Sequence, residues 1–370
     1  MRRASLRFGL LTGAVGLLVF LILFQQALLG GLVTQFIGAL RNQTADVLVY
    51  NDQARSNLEG SIILPQQLTA VADVQGVAVA AALGEATFSV QTGTVDDAGE
   101  IVDAVIFGYA LGGPGAPATM VEGRLPEGPG EAVASAKDRA DGFDIGEYVR
   151  VAPDGDRITI VGLARDINYS VAPVLFVDFD TYESAKRTRN PDATLVLPSA
   201  VAVEVAAGAS ADDVAARITA EVPGVEALTR QQAEDQSPGV SSVRSSFAVI
   251  LLLFYLVVPL VTGLFFLIVT FQKASALTLL RAIGAPAKVL VVSLLVQVGV
   301  VMVAGSAVAA VLYAGALQGV KNLGVRFELL PVIATSVVVL VLALVTSLVA
   351  VRRVLRLDPI TATTGAGVQV

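Results

Sequence analysis

Four uncharged apolar stretches constrain this chain of 370 residues more than any other feature of its sequence. They cover residues 8–29, 247–271, 289–317 and 329–351, so each has at least 22 residues. At about 1.5 Å per residue, 22 helical residues reach roughly 33 Å, which spans a hydrocarbon core of about 30 Å. The mean hydropathy of +0.72 is also too apolar for a water-soluble protein of this size. The sequence therefore predicts four transmembrane helices.

The first stretch has an alternative interpretation as a cleaved signal peptide, because Arg2, Arg3 and Arg7 precede it. Its apolar part is longer than the usual ~7 to 15 residues of a signal peptide, and no clear small-x-small cleavage site follows before Arg41. A retained helix is the favoured interpretation. Within it, Gly9 and Gly13 predict a close helix contact, as does the small-residue run 304–310, either inside the chain or between subunits.

The positions of the charged residues predict the orientation. Nine cations flank the stretches on one side, against the single acid Asp358; they are Arg2, Arg3, Arg7, Lys273, Arg281, Lys288, Arg352, Arg353 and Arg356. By the positive-inside rule, both termini and the loop between helices 2 and 3 are cytoplasmic. Residues 41–244 are then outside, and they carry 14 Lys and Arg against 30 Asp and Glu. So acidic a domain argues against nucleic acid as a partner.

The chain has neither cysteine nor histidine. Without cysteine the outer domain must rely on a packed core, for which about 200 residues are ample. Without histidine, Ser-His-Asp and Cys-His catalysis, the usual zinc sites and the usual proximal haem ligand are excluded. We therefore expect no catalytic residue, no metal site and no permanently bound cofactor.

The predicted fold class is an α-helical membrane protein with four transmembrane helices in a 1+3 layout and an inserted α+β extracytoplasmic domain. In this outer domain, short β-like runs alternate with amphipathic helices. The predicted strands are 46–50, 87–91, 101–109, 148–152, 158–163, 174–179 and 201–205, and the predicted helices are 65–72 and 212–222. Ser210 with Asp213 gives the second helix a capping-box pattern. The expected divisions are 1–40 (N-terminus and helix 1), 41–244 (extracytoplasmic domain), 245–357 (helices 2 to 4) and 358–370 (cytoplasmic tail).

The segment directly after helix 2 predicts a short cytoplasmic helix over about 272–285. Leu277, Leu280 and Ile283 fall on one side of it, Gly284 supplies a stop and Pro286 prevents continuation. Such a helix presents one face to a cytoplasmic protein. A simple juxtamembrane helix is the alternative.

Several motifs resemble those of MacB/FtsX-type ABC transporter permeases, in the right order along almost the whole chain. The stretch Leu-Arg-Ala-Ile-Gly-Ala at 280–285 resembles the family's coupling region, and 353–360 resembles its ending after helix 4. In the outer domain the matching motifs are Glu-Gly-Arg-Leu-Pro at 122–126, Gly-Glu-Ala-Val at 130–133, Gly-Glu-Tyr-Val at 146–149 and Ile-Thr-Ile-Val-Gly at 158–162.

The resemblance implies a permease that dimerises with a second copy of itself in membrane lipid and docks on two copies of a cytoplasmic ATPase subunit. The chain has no G-x-x-x-x-G-K-[ST] motif, so ATP is used by the partner rather than by this chain. The expected ATPase-coupling residues are Lys273, Leu277, Leu280, Arg281 and Gly284.

A narrower resemblance concerns the substrate. The stretches 265–273 and 166–169, with the apolar run 174–177, are similar to HrtB-type haem exporter permeases, and DevC-type glycolipid exporters share part of the helix 2 pattern. Leu267 departs from the Tyr that the family often has there. The resemblance implies haem as the first candidate substrate, taken from the outer leaflet. The expected substrate contacts are Tyr255, Tyr313, Tyr169, Arg41 and Arg244, although Tyr and Arg also serve as interface anchors.

Other functions remain open at this point. The substrate is alternatively a lipid, a glycolipid or an antimicrobial peptide. An FtsX-like regulator would instead transmit ATPase motion to an extracellular cell-wall hydrolase without moving any substrate. A membrane-anchored enzyme would use outer-domain carboxylates such as Asp96 and Asp97, or those at 138–144; solvated loop acids explain these better.

Overall fold

The computed structural model describes residues 2–93, 98–272, 286–319 and 329–355. The chain forms two compact units. The membrane unit contains residues up to Leu29 and the described residues from Ser245 onward, and the sheet unit contains Gly30–Arg244.

Eight α-helices and ten strands make up the described part of the chain. The helices are α1 (Arg2–Arg41), α2 (Pro65–Ala72), α3 (Phe179–Arg189), α4 (Ala211–Glu221), α5 (Arg230–Gln236), α6 (Val240–Gln272), α7 (Ala287–Gly319) and α8 (Leu329–Leu355). The strands are β1 (Val47–Asn51), β2 (Val77–Gly93), β3 (Ala98–Tyr109), β4 (Met120–Gly123), β5 (Glu131–Ser135), β6 (Tyr148–Val151), β7 (Arg157–Ala164), β8 (Val174–Asp178), β9 (Ala200–Val205) and β10 (Val225–Thr229).

The four predicted membrane helices are confirmed. Helices α1, α6, α7 and α8 each contain a span long and apolar enough to cross a membrane. Helices suit this environment because every backbone polar group is paired within the segment. Their common core includes Val19, Ile22, Phe266, Met302 and Val339, all buried.

Gly16 and Gly305 provide the closest approach between α1 and α7 that the glycines of the membrane unit show. A Cβ on Gly305 would lie 2.8 Å from Cγ1 of Val15, and one on Gly16 would lie 3.0 Å from the Gly305 carbonyl oxygen. Gly305 belongs to the predicted small-residue run. Gly9 and Gly13 are exposed, and no atom of the described residues lies within 4 Å of a Cβ at either position. A close contact at these two glycines stays a prediction.

Gly16→Ala is expected to destabilise the membrane unit, because overfilling a close contact costs about 1 to 3 kcal/mol. Gly13→Ala is the matched control on the same helix, and its open surroundings predict no loss. Thermal unfolding of the purified protein in lipid nanodiscs distinguishes the two. Equal midpoints for both variants would contradict the proposed α1–α7 contact.

The sheet unit is built on one mixed sheet. Its strands follow the order β10-β1-β9-β2-β3-β8-β5-β7-β4, and β6 pairs with both β2 and β7. Strand β3 runs parallel to β8, and β5 runs parallel to β7, while the other pairs are antiparallel. The 17-residue strand β2 connects both halves of the sheet because it pairs with β9 at its start and with β6 at its end.

Two apolar cores hold the helices against the sheet. One joins α3 to the central strands through buried residues such as Phe88, Ile106 and Tyr182. The other joins α2 and α4 to β1, β9 and β10 through residues such as Val71, Ile218 and Val203. The side chain of Ser210 accepts a hydrogen bond from Asp213 N–H and begins α4 as the capping pattern predicts.

The predicted fold class is confirmed, and the element bounds are mostly close to the prediction. Helix α2 covers the predicted residues, and α4 is shifted by one. The prediction missed α3, α5, β4, β5 and β10, and it began β2 ten residues late. The start of β2 is rich in alanine, so it lacks the alternation of apolar and polar residues that marks a strand.

Candidate functional site

A partly buried polar contact joins three helices of the membrane unit. Gln26 on α1 donates from Nε2 to the hydroxyl oxygen of Tyr255 on α6 at 3.1 Å. Its Oε1 accepts from the hydroxyl of Thr335 on α8 at 2.9 Å. We call Gln26, Tyr255 and Thr335 the membrane polar junction. Polar side chains within a membrane are costly unless paired, so their presence at this depth marks a functional candidate.

Both tyrosines predicted in the membrane helices belong to the core of that unit. Tyr255 is partly buried and packs against it, and Tyr313 on α7 is 4% exposed within it. The structure therefore places Tyr255 and Tyr313 in the same helix bundle. Their role as substrate contacts stays a prediction.

The last turns of α1, which belong to the sheet unit, are broken at Ile37, where φ is −138° and ψ is 17°. At the break the N–H of Ala39 donates to the Asn168 carbonyl at 3.1 Å. The carbonyls of Gln35 and Phe36 accept instead from the N–H groups of Val171 at 2.9 Å and Ser170 at 3.0 Å. We call residues 35–42 with the loop 165–172 the helix 1 clamp. The clamp supplies partners to backbone groups that the break in the helix would otherwise leave unpaired.

The loop of the clamp holds an unusual turn. Tyr169 and Ala172 exchange backbone hydrogen bonds, and the two residues between them have positive φ, 49° at Ser170 and 64° at Val171. This is the pattern of a type I′ turn, which favours Asn-Gly. A β-branched residue at positive φ is strained by about 1 to 3 kcal/mol, so the contacts with α1 stabilise a conformation that the sequence disfavours.

Asn168 fixes the base of this loop. Its amide nitrogen donates to Oδ2 of Asp138 at 2.8 Å and to the Ala172 carbonyl at 3.2 Å, while its amide oxygen accepts from Ser135 at 3.2 Å. Both Asn168 and Asp138 are buried. Burial raises the pKa of Asp138 above its usual value, and the hydrogen bonds from Asn168 and Ser135 oppose that rise.

Tyr169 lies in the interior of the sheet unit. It is 9% exposed, and its ring meets Phe107 edge-on with centroids 5.4 Å apart. Burial raises its pKa well above the usual value. These surroundings are those of a core side chain, and a role in substrate binding stays a prediction.

Arg41 and Arg244 meet at a shared acid. Glu234 on α5 lies 3.7 Å from Nε of Arg41, at the end of α1, and 2.5 Å from Arg244 on α6. Arg244 also pairs with Asp235. We call these four residues the arginine–acid cluster. They line an open pocket of about 510 Å³ in the sheet unit. A ligand carboxylate would have to compete with Glu234 for both arginines and with Asp235 for Arg244.

The predicted ATPase-coupling residues Lys273, Leu277, Leu280, Arg281 and Gly284 lie outside the described residues. The sequence analysis also missed Gln26, Thr335 and Asn168. A lone glutamine inside an apolar stretch was the available signal for Gln26. Asn168 stood inside the quoted 166–169 motif, but its partners come from distant strands and leave no local signal.

Similarity to known proteins identifies the family of this chain. The model of the MacB-like periplasmic core domain matches residues 9–221. The chain belongs to this family of ABC transporter permeases. It is similar to the putative hemin transport system permease protein HrtB from two strains of Staphylococcus epidermidis, with 20% identity over 247 residues to each. Each match covers 66% of this chain and 67% of the relative.

Two solved structures are also similar. The extracellular domain of the noncanonic ABC-type transporter YknZ from Gram-positive bacteria has 12% identity and a TM-score of 0.33, covering 51% of this chain and all of that domain. The periplasmic region of MacB from Actinobacillus actinomycetemcomitans has 9% identity and a TM-score of 0.35, covering 52% and 92%.

Membership of this family makes the chain a membrane-embedded transport subunit with an extracytoplasmic segment. The family implies a cytoplasmic ATPase partner, which supplies the nucleotide site that this permease lacks by sequence.

Asn168→Ala is expected to destabilise the permease more at pH 8 than at pH 5. The substitution removes a hydrogen bond that lowers the pKa of buried Asp138, so that pKa rises further. A carboxyl whose folded-state pKa is raised is tolerated while protonated, and stability is lost as the pH rises through that value. Leaving each buried partner unsatisfied costs about 1 to 3 kcal/mol.

Thermal unfolding in nanodiscs at the two pH values measures this effect. Asn190→Ala, at the exposed end of α3, serves as the control because its side chain is remote from Asp138 in the hydrogen-bond network. A loss for Asn168→Ala that is the same at both pH values would contradict the coupling to Asp138.

Proposed function

We propose that this permease exports haem or a closely similar amphiphile from the outer leaflet of the cytoplasmic membrane. The observation that carries the proposal is the similarity to the two HrtB permeases, whose names refer to hemin transport and which match 66% of this chain. Both termini and the 273–285 segment are cytoplasmic in this proposal, in agreement with the distribution of cations.

The energy for export comes from ATP hydrolysis by the partner ATPase subunits. Two ATPase subunits bind the cytoplasmic coupling segments of a permease dimer, through Lys273, Leu277, Leu280, Arg281 and Gly284. Closure of the ATPase pair shifts the permeases between two arrangements as rigid bodies. The helix 1 clamp supports this proposal because its hydrogen bonds fix the end of α1 to the sheet unit, so a displacement of that helix end displaces the sheet.

The membrane polar junction is the proposed place of contact with the iron of haem. A chain without histidine must use Tyr, Met or carboxylate for that purpose. The phenol oxygen of Tyr255 accepts a hydrogen bond from Gln26, which fixes the position of the oxygen that would meet the metal. Tyr313 lines the same bundle and supplies an aromatic surface for the macrocycle.

The arginine–acid cluster is proposed as a second, separate place of contact, where the haem propionates bind at a different stage of export from the contact at the membrane polar junction. Arg41 and Arg244 carry the positive charges, and Glu234 holds both before substrate arrives. Arginine binds carboxylates in a forked, two-bond geometry, so an exchange of Glu234 for a propionate conserves the contact type.

Haem is expected to stimulate the ATPase rate of the purified permease–ATPase complex in lipid, with saturation, and Tyr255→Phe is expected to weaken that stimulation. The substitution removes only the phenol oxygen. Tyr148→Phe is the control, since Tyr148 lies on β6 of the sheet unit. A non-haem amphiphile without iron serves as the second control.

A rate that haem leaves unchanged would refute haem as the substrate while keeping the permease. Stimulation by the non-haem amphiphile alone would direct the search to a lipid, glycolipid or peptide. Indifference to every amphiphile would favour transmission of work to an extracellular hydrolase.

Glu234→Gln is expected to tighten apparent haem binding in the same assay, because it removes the carboxylate that competes for Arg41 and Arg244. Arg244→Gln is expected to weaken it. Glu221→Gln, at the exposed end of α4, is the charge-matched control. Weaker binding in Glu234→Gln, with Arg244→Gln unchanged, would contradict the proposed role of the cluster.

A further inference from the structure

A gap in the pairing of β2 opens a cleft in the sheet unit that is separate from the arginine–acid cluster. On one side β2 pairs with β9 as far as Leu83, and with β6 only from Val90 onward. Residues 85–89, which lie between these two pairings, line a cleft of about 500 Å³. The cleft is also lined by Glu59, Asp103, Lys186 and Arg189.

Side chains fix the wall of this cleft. The backbone of Glu85 donates to the hydroxyl of Ser199 at 3.1 Å, and its carbonyl accepts from the hydroxyl of Tyr182 at 3.1 Å. The guanidinium of Arg189 donates to the Thr87 carbonyl at 2.7 Å. The edge of β2 is therefore held in a defined position although it has no neighbouring strand there.

The side chain of Glu85 is the least satisfied group in the cleft wall. It is 3% exposed, and within the described residues its Oε2 atom has no hydrogen-bond partner. Leaving a buried carboxylate without a donor is costly. Burial, and then the charge of Glu59, raise its pKa to about 7.

The cationic side chains of Lys186 and Arg189 line the same cleft but form no ion pair with the Glu85 carboxylate among the described residues. The charge of Lys186 lowers the pKa of Glu85, and the charge of Glu85 raises the pKa of Lys186. Among the described residues, however, the two side chains form no ion pair within 4.0 Å. Burial lowers the pKa of Lys186. The cleft thus presents acceptors at Glu85 and Glu59 and donors at Lys186 and Arg189. A ligand that carries both charges would satisfy both sets.

We propose that the cleft binds a compact zwitterion, with its ammonium group on Glu85 and Glu59 and its acidic group on Lys186 and Arg189. An ammonium offers three N–H donors and matches two nearby carboxylates. Free amino-acid or dipeptide zwitterions have this chemistry, and so does the headgroup of an ethanolamine phospholipid. This site does not depend on the identity of the transported substrate.

Binding of an ammonium favours the ionised form of Glu85. At a pH below the pKa that Glu85 has without ligand, binding therefore releases a proton from its carboxyl group. The titratable and charged groups that face Glu85 are Glu59, Asp103, Tyr169, Tyr182, Lys186 and Arg189. The tyrosine hydroxyls stay protonated at neutral pH because burial raises their pKa. Proton release near pH 6.5 is therefore assigned to Glu85.

Calorimetric titration of the full chain in phosphatidylcholine nanodiscs tests the site with two probes, glycylglycine and glycerophosphoethanolamine. Each titration is run at pH 6.5 and 8.5 in two buffers of different ionisation enthalpy, which counts the protons released. Glu85→Gln is compared with Glu204→Gln, an exposed glutamate on β9 outside the cleft.

We expect saturable binding of at least one probe, with proton release at pH 6.5. At pH 8.5 the release fades, and glycylglycine, whose α-amino group with a pKa of about 8 has lost most of its proton, takes up a proton when it binds. Glu85→Gln should weaken binding at least tenfold, while Glu204→Gln should not change it. Binding of glycylglycine alone identifies a peptide-type ligand, and binding of glycerophosphoethanolamine alone identifies a lipid headgroup.

The proposal is overturned if neither probe binds the wild-type chain, or if Glu85→Gln binds as tightly as wild type. If Glu85→Gln fails to fold, Lys186→Met takes its place, and unaltered binding in that variant overturns the proposal equally.

Discussion

The conformation of the end of α1 depends on backbone hydrogen bonds to the loop 165–172. These bonds are needed because the helical hydrogen-bond pattern is broken at Ile37. In the membrane spans, helices satisfy every peptide group internally. In α1 this condition ends at Ile37, which lies within the sheet unit. Two carbonyls and one N–H of the broken turn are then paired by Ser170, Val171 and Asn168. Gly38 permits the approach, since a Cβ there would collide with the Asp166 carbonyl.

Each of the two units holds a set of polar side chains that are paired with one another. In the membrane unit, Gln26 satisfies both Tyr255 and Thr335 and so keeps a phenol at a depth where unpaired polar atoms are costly. In the sheet unit, the arginine–acid cluster keeps two cations paired.

Composition and periodicity were sufficient for the four spans and the α+β class, because long apolar runs and strand alternation are local signals. They were not sufficient for β5 or β10, which are short and are defined by partners far away in the chain. Gly305 lies in the predicted small-residue run, but its partner Gly16 was not predicted, because a glycine in an apolar stretch does not indicate which helix it faces. The pairing of Arg41 with Glu234 also joins residues almost two hundred positions apart, and no pattern in either segment indicates it.

The measurement that tests this account most directly is hydrogen exchange on the full chain in lipid nanodiscs, followed for the amides of Ala39, Ser170 and Val171. The account predicts protection comparable to the central strands β3 and β8, because these three amides donate across the clamp. The exposed residues Leu111 and Gly112 provide the fast-exchanging reference. Exchange of the clamp amides at the rate of that reference would contradict the claim that the end of α1 is fixed to the sheet unit.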